Sequence, residues 1–409
     1  MLLGFRTANV LSFRTEQQFS LVASDLYGGP ALATGLREGG RRIAVMPAVG
    51  VFGANASGKS NLLTALAAMR STILDSSSWI ADPNPVRRTA FALDTISSRE
   101  PSMFEADILL DDGVRYTYGV EVDDQRFRGE WLHAYPKGRR QVWFERTDDD
   151  VDFVGDGLRG EKLELSRRTR GDSLFLAVAA QFNHEQLLPV FEWFRDNLTL
   201  IRPDGHVDGQ LRTGSRVLRD SAFRERVGRI LQVADIGVTG FDPDSLARGE
   251  IRFLHRAGSR DVPLEFGAES LGTRSWFGLI GTLLDSLDAG SVVLVDELDA
   301  SLHPAMSSEA VQMFQDRTAN PRRSQMVFTS HDPTLLGTML GPGRILDRDA
   351  VWLTEKLSDG GTEIYPLTSV NPPPRKEDNL LRKYLSGHYG GMPRVSPGAV
   401  AREAAELAQ

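Results

Sequence analysis

The sequence predicts an α/β fold, with a mixed central sheet, an antiparallel β-subdomain and an inserted helical lobe, and no long coiled coil. Three observations carry that expectation. An apolar run at residues 48–52 leads straight into a glycine-rich loop and then a helical pattern of Leu62, Leu63, Leu66 and Met69. That order suits a buried parallel strand feeding a helix. Residues 104–153 change to period-two alternation, with Asp111-Asp112-Gly113 marking a hairpin turn. Residues 173–197 and 215–234 return to helical spacing, and neither sustains the heptads of a coiled coil.

The composition narrows the function classes. The 409 residues carry 47 Lys+Arg against 55 Asp+Glu, a formal net charge of -8. This acidic balance argues against a chain that coats DNA wholesale and leaves local basic patches open. No window approaches the ~18 uninterrupted apolar residues of a membrane span, so no membrane partner is expected. The first twenty residues lack a basic segment followed by an apolar one, and the expected location is the cytoplasm. With no cysteine there is no disulfide, thiol nucleophile or thiolate metal site. Among the basic residues only Lys59, Lys137, Lys162, Lys356, Lys376 and Lys383 are lysine. Such an arginine bias fits either genome base composition or phosphate recognition.

Further elements follow in chain order. Residues 2–5 and 19–22 read as short strands. Residues 270–287 form a helix with Trp276, Ile280, Leu283 and Leu287 on one face. Strands are expected at 292–295 and 325–329, and closing edge strands at 351–354 and 362–365. Asn371-Pro372-Pro373-Pro374 then opens a tail whose Tyr384, Tyr389 and paired glycines argue for packing. The expected organisation is an N-terminal lobe at 1–172, a helical insertion at 173–268, a C-terminal lobe at 269–370 and a tail at 371–409 that serves as a docking segment.

Four constellations carry chemistry. Gly53-Ala54-Asn55-Ala56-Ser57-Gly58-Lys59-Ser60, followed by Asn61, matches the phosphate-cradling G-x-x-x-x-G-K-[ST] loop. Its backbone N–H groups hold phosphate, Lys59 reaches the outer phosphates and the Ser60 hydroxyl ligates Mg2+. Downstream, the strand at 292–295 ends in Asp296-Glu297. Asp296 is placed to hold the metal through water, and Glu297 to orient or deprotonate an attacking water. Glu269-Ser270-Leu271-Gly272-Thr273 lies at a helix start before that pair. Phe328-Thr329-Ser330-His331-Asp332 then puts a histidine at the end of the next strand.

The stretches FGANASGKSNLL, ESLGTRSWFGLI, VVLVDELDASLHP, QMVFTSHDPTLL and YLSGHYGGMP resemble the ABC-class ATPases of the SMC, RecF and OLD kind. Most closely they resemble the stand-alone bacterial ATPases of abortive-infection and restriction-linked operons, the RloA and AbiL type. The resemblance spans nearly the whole chain and implies an ABC-type P-loop ATPase head that uses ATP and Mg2+. It implies that Ser270 and Gly272 grip a nucleotide held by a second copy, so that two sites form in a head-to-tail dimer. It makes His331 a γ-phosphate contact, Asp299 a residue reaching across the dimer, and Gln181 the glutamine that ligates Mg2+ and couples nucleotide state to lobe rotation. Asn9, Ser12 and Arg14 fall in the segment that approaches ribose and phosphates in relatives. The transporter-type LSGGQ is absent, with Glu269 before the serine and Thr273 after Gly272, which disfavours a transporter subunit.

Two functions follow from the resemblance. One is a switch or sensor in an anti-phage complex that controls a separate effector, such as a TOPRIM-like nuclease. The other is a RecF-type repair ATPase that binds DNA directly. For DNA contact, the candidates are the arginines at 216, 219, 224, 226 and 229, with Arg139-Arg140 and Arg167-Arg168.

Overall fold

The computed structural model describes residues 1–24, 29–77, 88–203, 206–234, 237–340, 343–393, 396 and 398–406. Strands β1 (Leu2–Ala8) and β2 (Gln17–Ser20) open the chain, β3 (Leu32–Glu38) and β4 (Arg41–Val45) pair as a hairpin, and β5 (Ala48–Gly53) precedes helix α1 (Lys59–Asp75). A meander follows: β6 (Ser102–Leu109), β7 (Arg115–Val122), β8 (Phe127–Ala134), β9 (Gln141–Thr147) and β10 (Asp150–Asp152). Next come α2 (Lys162–Arg168), α3 (Phe175–Gln181), α4 (Leu188–Asp196), β11 (Leu198–Ile201), α5 (His206–Arg219) and α6 (Ser221–Val233). A small sheet follows, made of β12 (Val238–Phe241), β13 (Arg252–Ala257) and β14 (Arg260–Glu265), with α7 (Pro243–Ala247) after its first strand. The chain continues through α8 (Leu271–Ala289), β15 (Val292–Val295), α9 (Pro304–Gln315) and β16 (Gln325–Thr329). It ends with β17 (Val351–Lys356), β18 (Thr362–Pro366), α10 (Leu380–Leu385) and α11 (Ala399–Glu406).

The central sheet runs β11-β15-β16-β5-β17-β18, parallel except for β18. Every residue of β5 is buried, as its unbroken apolar run requires of a strand covered on both faces. The antiparallel sheet runs β10-β9-β8-β7-β6-β1-β2, and Gly113, at φ 77, makes the expected hairpin turn between β6 and β7. The mixed α/β architecture expected from sequence is therefore present. No helix among the described residues is long and apolar enough to cross a membrane.

Three local expectations change. The helical stretch 173–197 is two helices, because Asn183 takes a left-handed φ of 54 and turns the chain between α3 and α4. The helix expected at 215–234 is broken at Asp220, whose carboxylate accepts the Phe223 N–H and starts α6 as an N-cap. Residues 351–354, expected at an edge, lie inside the sheet between β5 and β18. Segment 173–268 also contains more than helices: β11 returns to the central sheet, and β12–β14 pack onto α8. That packing runs through Phe241, Phe253 and Phe277, with the Phe253 and Phe277 ring centroids 5.4 Å apart. Such pairs add ~0.5–1.5 kcal/mol each beyond area burial.

The tail folds back on its own head. Tyr384 and Tyr389 are buried, Tyr384 packs edge-on to Phe52 of β5, and the Tyr365 hydroxyl donates to the Tyr389 carbonyl at 3.1 Å.

Candidate functional site

The site is built at the carboxyl ends of β5, β15 and β16, where parallel pairing brings distant sequence together. The phosphate loop joins β5 to α1, and α1 begins at Lys59 with Gly58 as its left-handed cap at φ 103. A Cβ at Gly58 would stand 2.7 Å from Thr362 Cγ2 and 2.8 Å from Ser12 Oγ, so only glycine fits. Behind the loop, Ser57 Oγ and Thr354 Oγ1 lie 2.6 Å apart, and Thr362 Oγ1 donates to the Ser57 carbonyl at 2.9 Å. Asn61 donates to Ser12 Oγ at 2.7 Å, fixing the first turn of α1 to the N-terminal segment. Asn55 and Ala56 are exposed at the loop's tip.

Lys59 is buried, and its ammonium donates to the carbonyls of Gly53 at 2.9 Å and Ala54 at 3.0 Å. Burial pulls its pKa below the ordinary lysine value, while Glu297, Asp299 and Asp296 act in the opposite sense. Carboxylates more than two hundred residues away in sequence thus act electrostatically on this ammonium.

Thr329 anchors the strand-end pair Asp296-Glu297. Its hydroxyl donates to Asp296 at 2.7 Å and accepts the Glu297 N–H at 2.7 Å. Glu297 takes a left-handed φ of 52, which turns the chain sharply after β15, and the Leu298 N–H returns to the Thr329 carbonyl at 2.9 Å. The Glu297 carboxylate stands 3.9 Å from His331 Nε2, both about two-fifths exposed. Asp299 accepts the His331 N–H at 3.1 Å, within the same chain.

Ser270 caps α8, accepting the Thr273 N–H at 3.1 Å. Ser270 is exposed and Leu271 is 55% exposed, whereas a Cβ on Gly272 would meet the Ser301 carbonyl at 3.0 Å. The preceding Glu269 is buried and accepts from His255 Nε2 at 2.7 Å, tying the helix start to β13.

Gln181 is not brought to this site. Its helix begins where α1 ends, with the Leu174 N–H 3.4 Å from Ser76 Oγ and Glu130 accepting the Phe175 and Leu176 N–H groups. The seventeen residues of α1 span ~25 Å and the seven of α3 only ~10 Å, so α3 cannot return Gln181 to Ser60. Asn9 is also occupied elsewhere: it is buried, donates to the Ser97 carbonyl at 2.6 Å and accepts the Phe91 N–H at 3.0 Å. Arg14 pairs with Asp94 and Asp359. Ser12 does lie against the loop, as a buttress.

Sequence reading missed Thr329, Thr354 and Thr362, because a threonine in a strand reads as ordinary β-propensity. It also missed Arg202. This residue follows Ile201, whose carbonyl accepts the Asp296 N–H at 2.9 Å, so its backbone lies one strand away from Asp296.

Among the described residues no cluster of three or more His, Asp or Glu side chains could hold a metal by itself. Ser60 and Asp296 fit Mg2+ only in company with phosphate oxygens, the way this ion is commonly held.

A phosphate loop, a strand-end carboxylate pair, a neighbouring histidine and a capped serine helix on one parallel sheet define a P-loop ATPase of the ABC type. The chain belongs to the family described as "AAA domain, putative AbiEii toxin, Type IV TA system", whose profile matches residues 49–337. In structure it is similar to the SMC head domain from Thermotoga maritima, with 11% identity, 89% of this chain and 98% of that chain covered, and a TM-score of 0.41. It is also similar to the recombination mediator protein RecF-ATP of the RecFOR pathway, with 12% identity, coverage of 89% and 99%, and a TM-score of 0.32. Comparison with curated proteins gives no match.

Proposed function

We propose that this protein binds and hydrolyses ATP in a nucleotide-sandwich dimer. That dimer acts as a switch in an anti-phage defence complex controlling a separate effector protein. The observation that carries the ATPase reading is the parallel pairing of β15, β16 and β5, which sets the Asp296-Glu297 strand end and the phosphate loop with buried Lys59 at the same end of the sheet. In this reading the loop amides and Lys59 hold the phosphates, and Ser60 and Asp296 hold Mg2+, which when bound neutralises phosphate charge. Glu297 takes the proton of the attacking water, and His331 steadies that water from the next strand.

The dimer is supported by exposed Ser270 and Leu271, whose helix start makes no hydrogen bond to its own phosphate loop among the described residues. Asp299, now bonded to the His331 N–H, would exchange that bond for one across the interface as the pair closes. Nucleotide would then bias a two-state equilibrium through contacts made only in the closed pair.

Direct DNA binding through the lobe receives less support. Arg216 pairs with Asp285, Arg226 with Asp288 and Arg229 with Glu225, which neutralises three of the five candidate arginines.

The test is Glu297→Gln. This variant should retain ATP affinity, lose turnover by about a hundredfold or more and accumulate as a nucleotide-dependent dimer in light scattering. Unchanged turnover would overturn the role of Glu297, and a monomer at saturating ATP would overturn the sandwich.

A further inference from the structure

The central sheet ends on β11, and among the described residues no strand pairs with its outer side. The carbonyls of Asn197 and Ile201 accept from Val292 and Asp296 at 2.8 and 2.9 Å, so odd-numbered residues face β15. In a parallel ladder the N–H and C=O of Leu200 then point the other way. They open onto a cleft of about 580 Å³ framed by α1 on one side and α5 on the other. Arg70, Arg202 and Arg212 line this cleft against one carboxylate, Asp208. Arg70 is held in place by the carbonyls of Phe194 at 3.0 Å and Arg195 at 2.9 Å. Arg202 and Arg212 are exposed and make no ion pair among the described residues, unlike Arg216 one turn further along α5.

Three other sheet edges are blunted. β14 carries Pro263, β10 carries Asp150 and Asp152, and the Ile364 N–H of β18 is taken by Gln17 at 2.9 Å. Only β11, among these edges, combines free backbone groups with unpaired positive charge.

We propose that this cleft docks an extended acidic segment of a partner protein, which adds as a further strand to β11 and sets its carboxylates against Arg70, Arg202 and Arg212. A free row of backbone donors and acceptors selects a peptide. A single-stranded nucleic acid would call for an aromatic stacking platform, and among the described residues no aromatic one lines the cleft. The occupant would lie one strand away from Asp296, because Ile201 holds the Asp296 N–H. The inference does not depend on the sandwich dimer.

A fluorescent peptide of alternating Glu and Val tests it, beside a matched peptide of alternating Glu and Pro that carries equal charge but cannot pair. Only the Glu/Val peptide should bind the full chain, and it should slow hydrogen exchange at the Leu200 and Arg202 amides. R202E/R212E should weaken binding by about tenfold or more with an unchanged melting temperature, and R212E alone by a smaller factor. Equal binding of both peptides, binding of neither, full affinity in the folded variants, or displacement by oligo-dT without protection of β11 would overturn the proposal.

Discussion

Replacing Thr329 with valine removes one hydroxyl and almost nothing else, since the two side chains are nearly the same shape and Thr329 is fully buried. That hydroxyl makes a hydrogen bond to a carboxylate and another to a backbone N–H, both at 2.7 Å. A bond to a charged acceptor is worth ~1.5–3 kcal/mol and a neutral one ~0.5–1.5 kcal/mol. The expected loss of stability in urea unfolding is therefore about 2–4.5 kcal/mol. The functional effect should exceed what unfolding alone explains. Without the bridge, Asp296 and the turn at Glu297 are free to shift, and a misplacement near 1 Å costs up to ~100-fold in rate. Steady-state ATP turnover should fall by about 10- to 100-fold, while nucleotide affinity, set by the intact loop and Lys59, stays within about threefold. A stability loss below ~1 kcal/mol together with normal turnover would refute the claim that Thr329 holds the carboxylate pair.

The remaining predictions test other parts of the framework. Gly58→Ala places a Cβ 2.7 Å from Thr362 at a left-handed φ of 103, so thermal melting should fall and ATP affinity should drop at least about tenfold. A wild-type melt and affinity would mean the loop relaxes at no cost. Glu130→Ala should destabilise by about 3–5 kcal/mol in denaturant titration, because it leaves buried Arg146 without its carboxylate and α3 without two bonds at its first turn. A loss under ~1 kcal/mol would refute that account. Burial, with Arg140 adding to it and Glu145 opposing it, lowers the His133 pKa from 6.5, so the fold favours neutral imidazole. Its contribution to stability is complete above pH 6.5 and is lost as pH falls through the lower folded value. His133→Gln should flatten that acid-side decline, and an unchanged slope would contradict the assignment.

How much of this was legible in the sequence depended on whether the signal was local. The strand, loop and first helix at residues 48–75 were readable because an apolar run, a glycine pattern and helical spacing are contiguous. The Asp296-Glu297 pair was readable for the same reason. What the sequence did not show is which hydroxyls meet which carboxylates. Thr329, Thr354 and Thr362 act through partners on other strands, and nothing in their neighbours' identities marks them. The placement of Gln181 failed for a related reason. Its position in chain order suits a residue between loop and signature, but the strand that reaches the catalytic edge is the four-residue β11, hidden behind the apolar pattern of α4. The break at Asp220 was legible in principle, since Asp-Ser before an apolar run is an N-cap signal, yet the arginine periodicity on either side masked it.

The inserted segment gains its meaning from where it touches the rest of the head. At one end, β11 supplies the carbonyl that fixes the Asp296 N–H. At the other, β13 supplies His255 to buried Glu269, one residue before Ser270, while Phe253 packs on Phe277 one helical turn and more further along α8. Between them, Arg216 and Arg226 bind the acidic last turn of α8 through Asp285 and Asp288. A rotation of this segment cannot leave both ends where they are. In the proposed switch such a rotation would move the serine helix start, the strand that holds Asp296, or both, and so link nucleotide state to the segment.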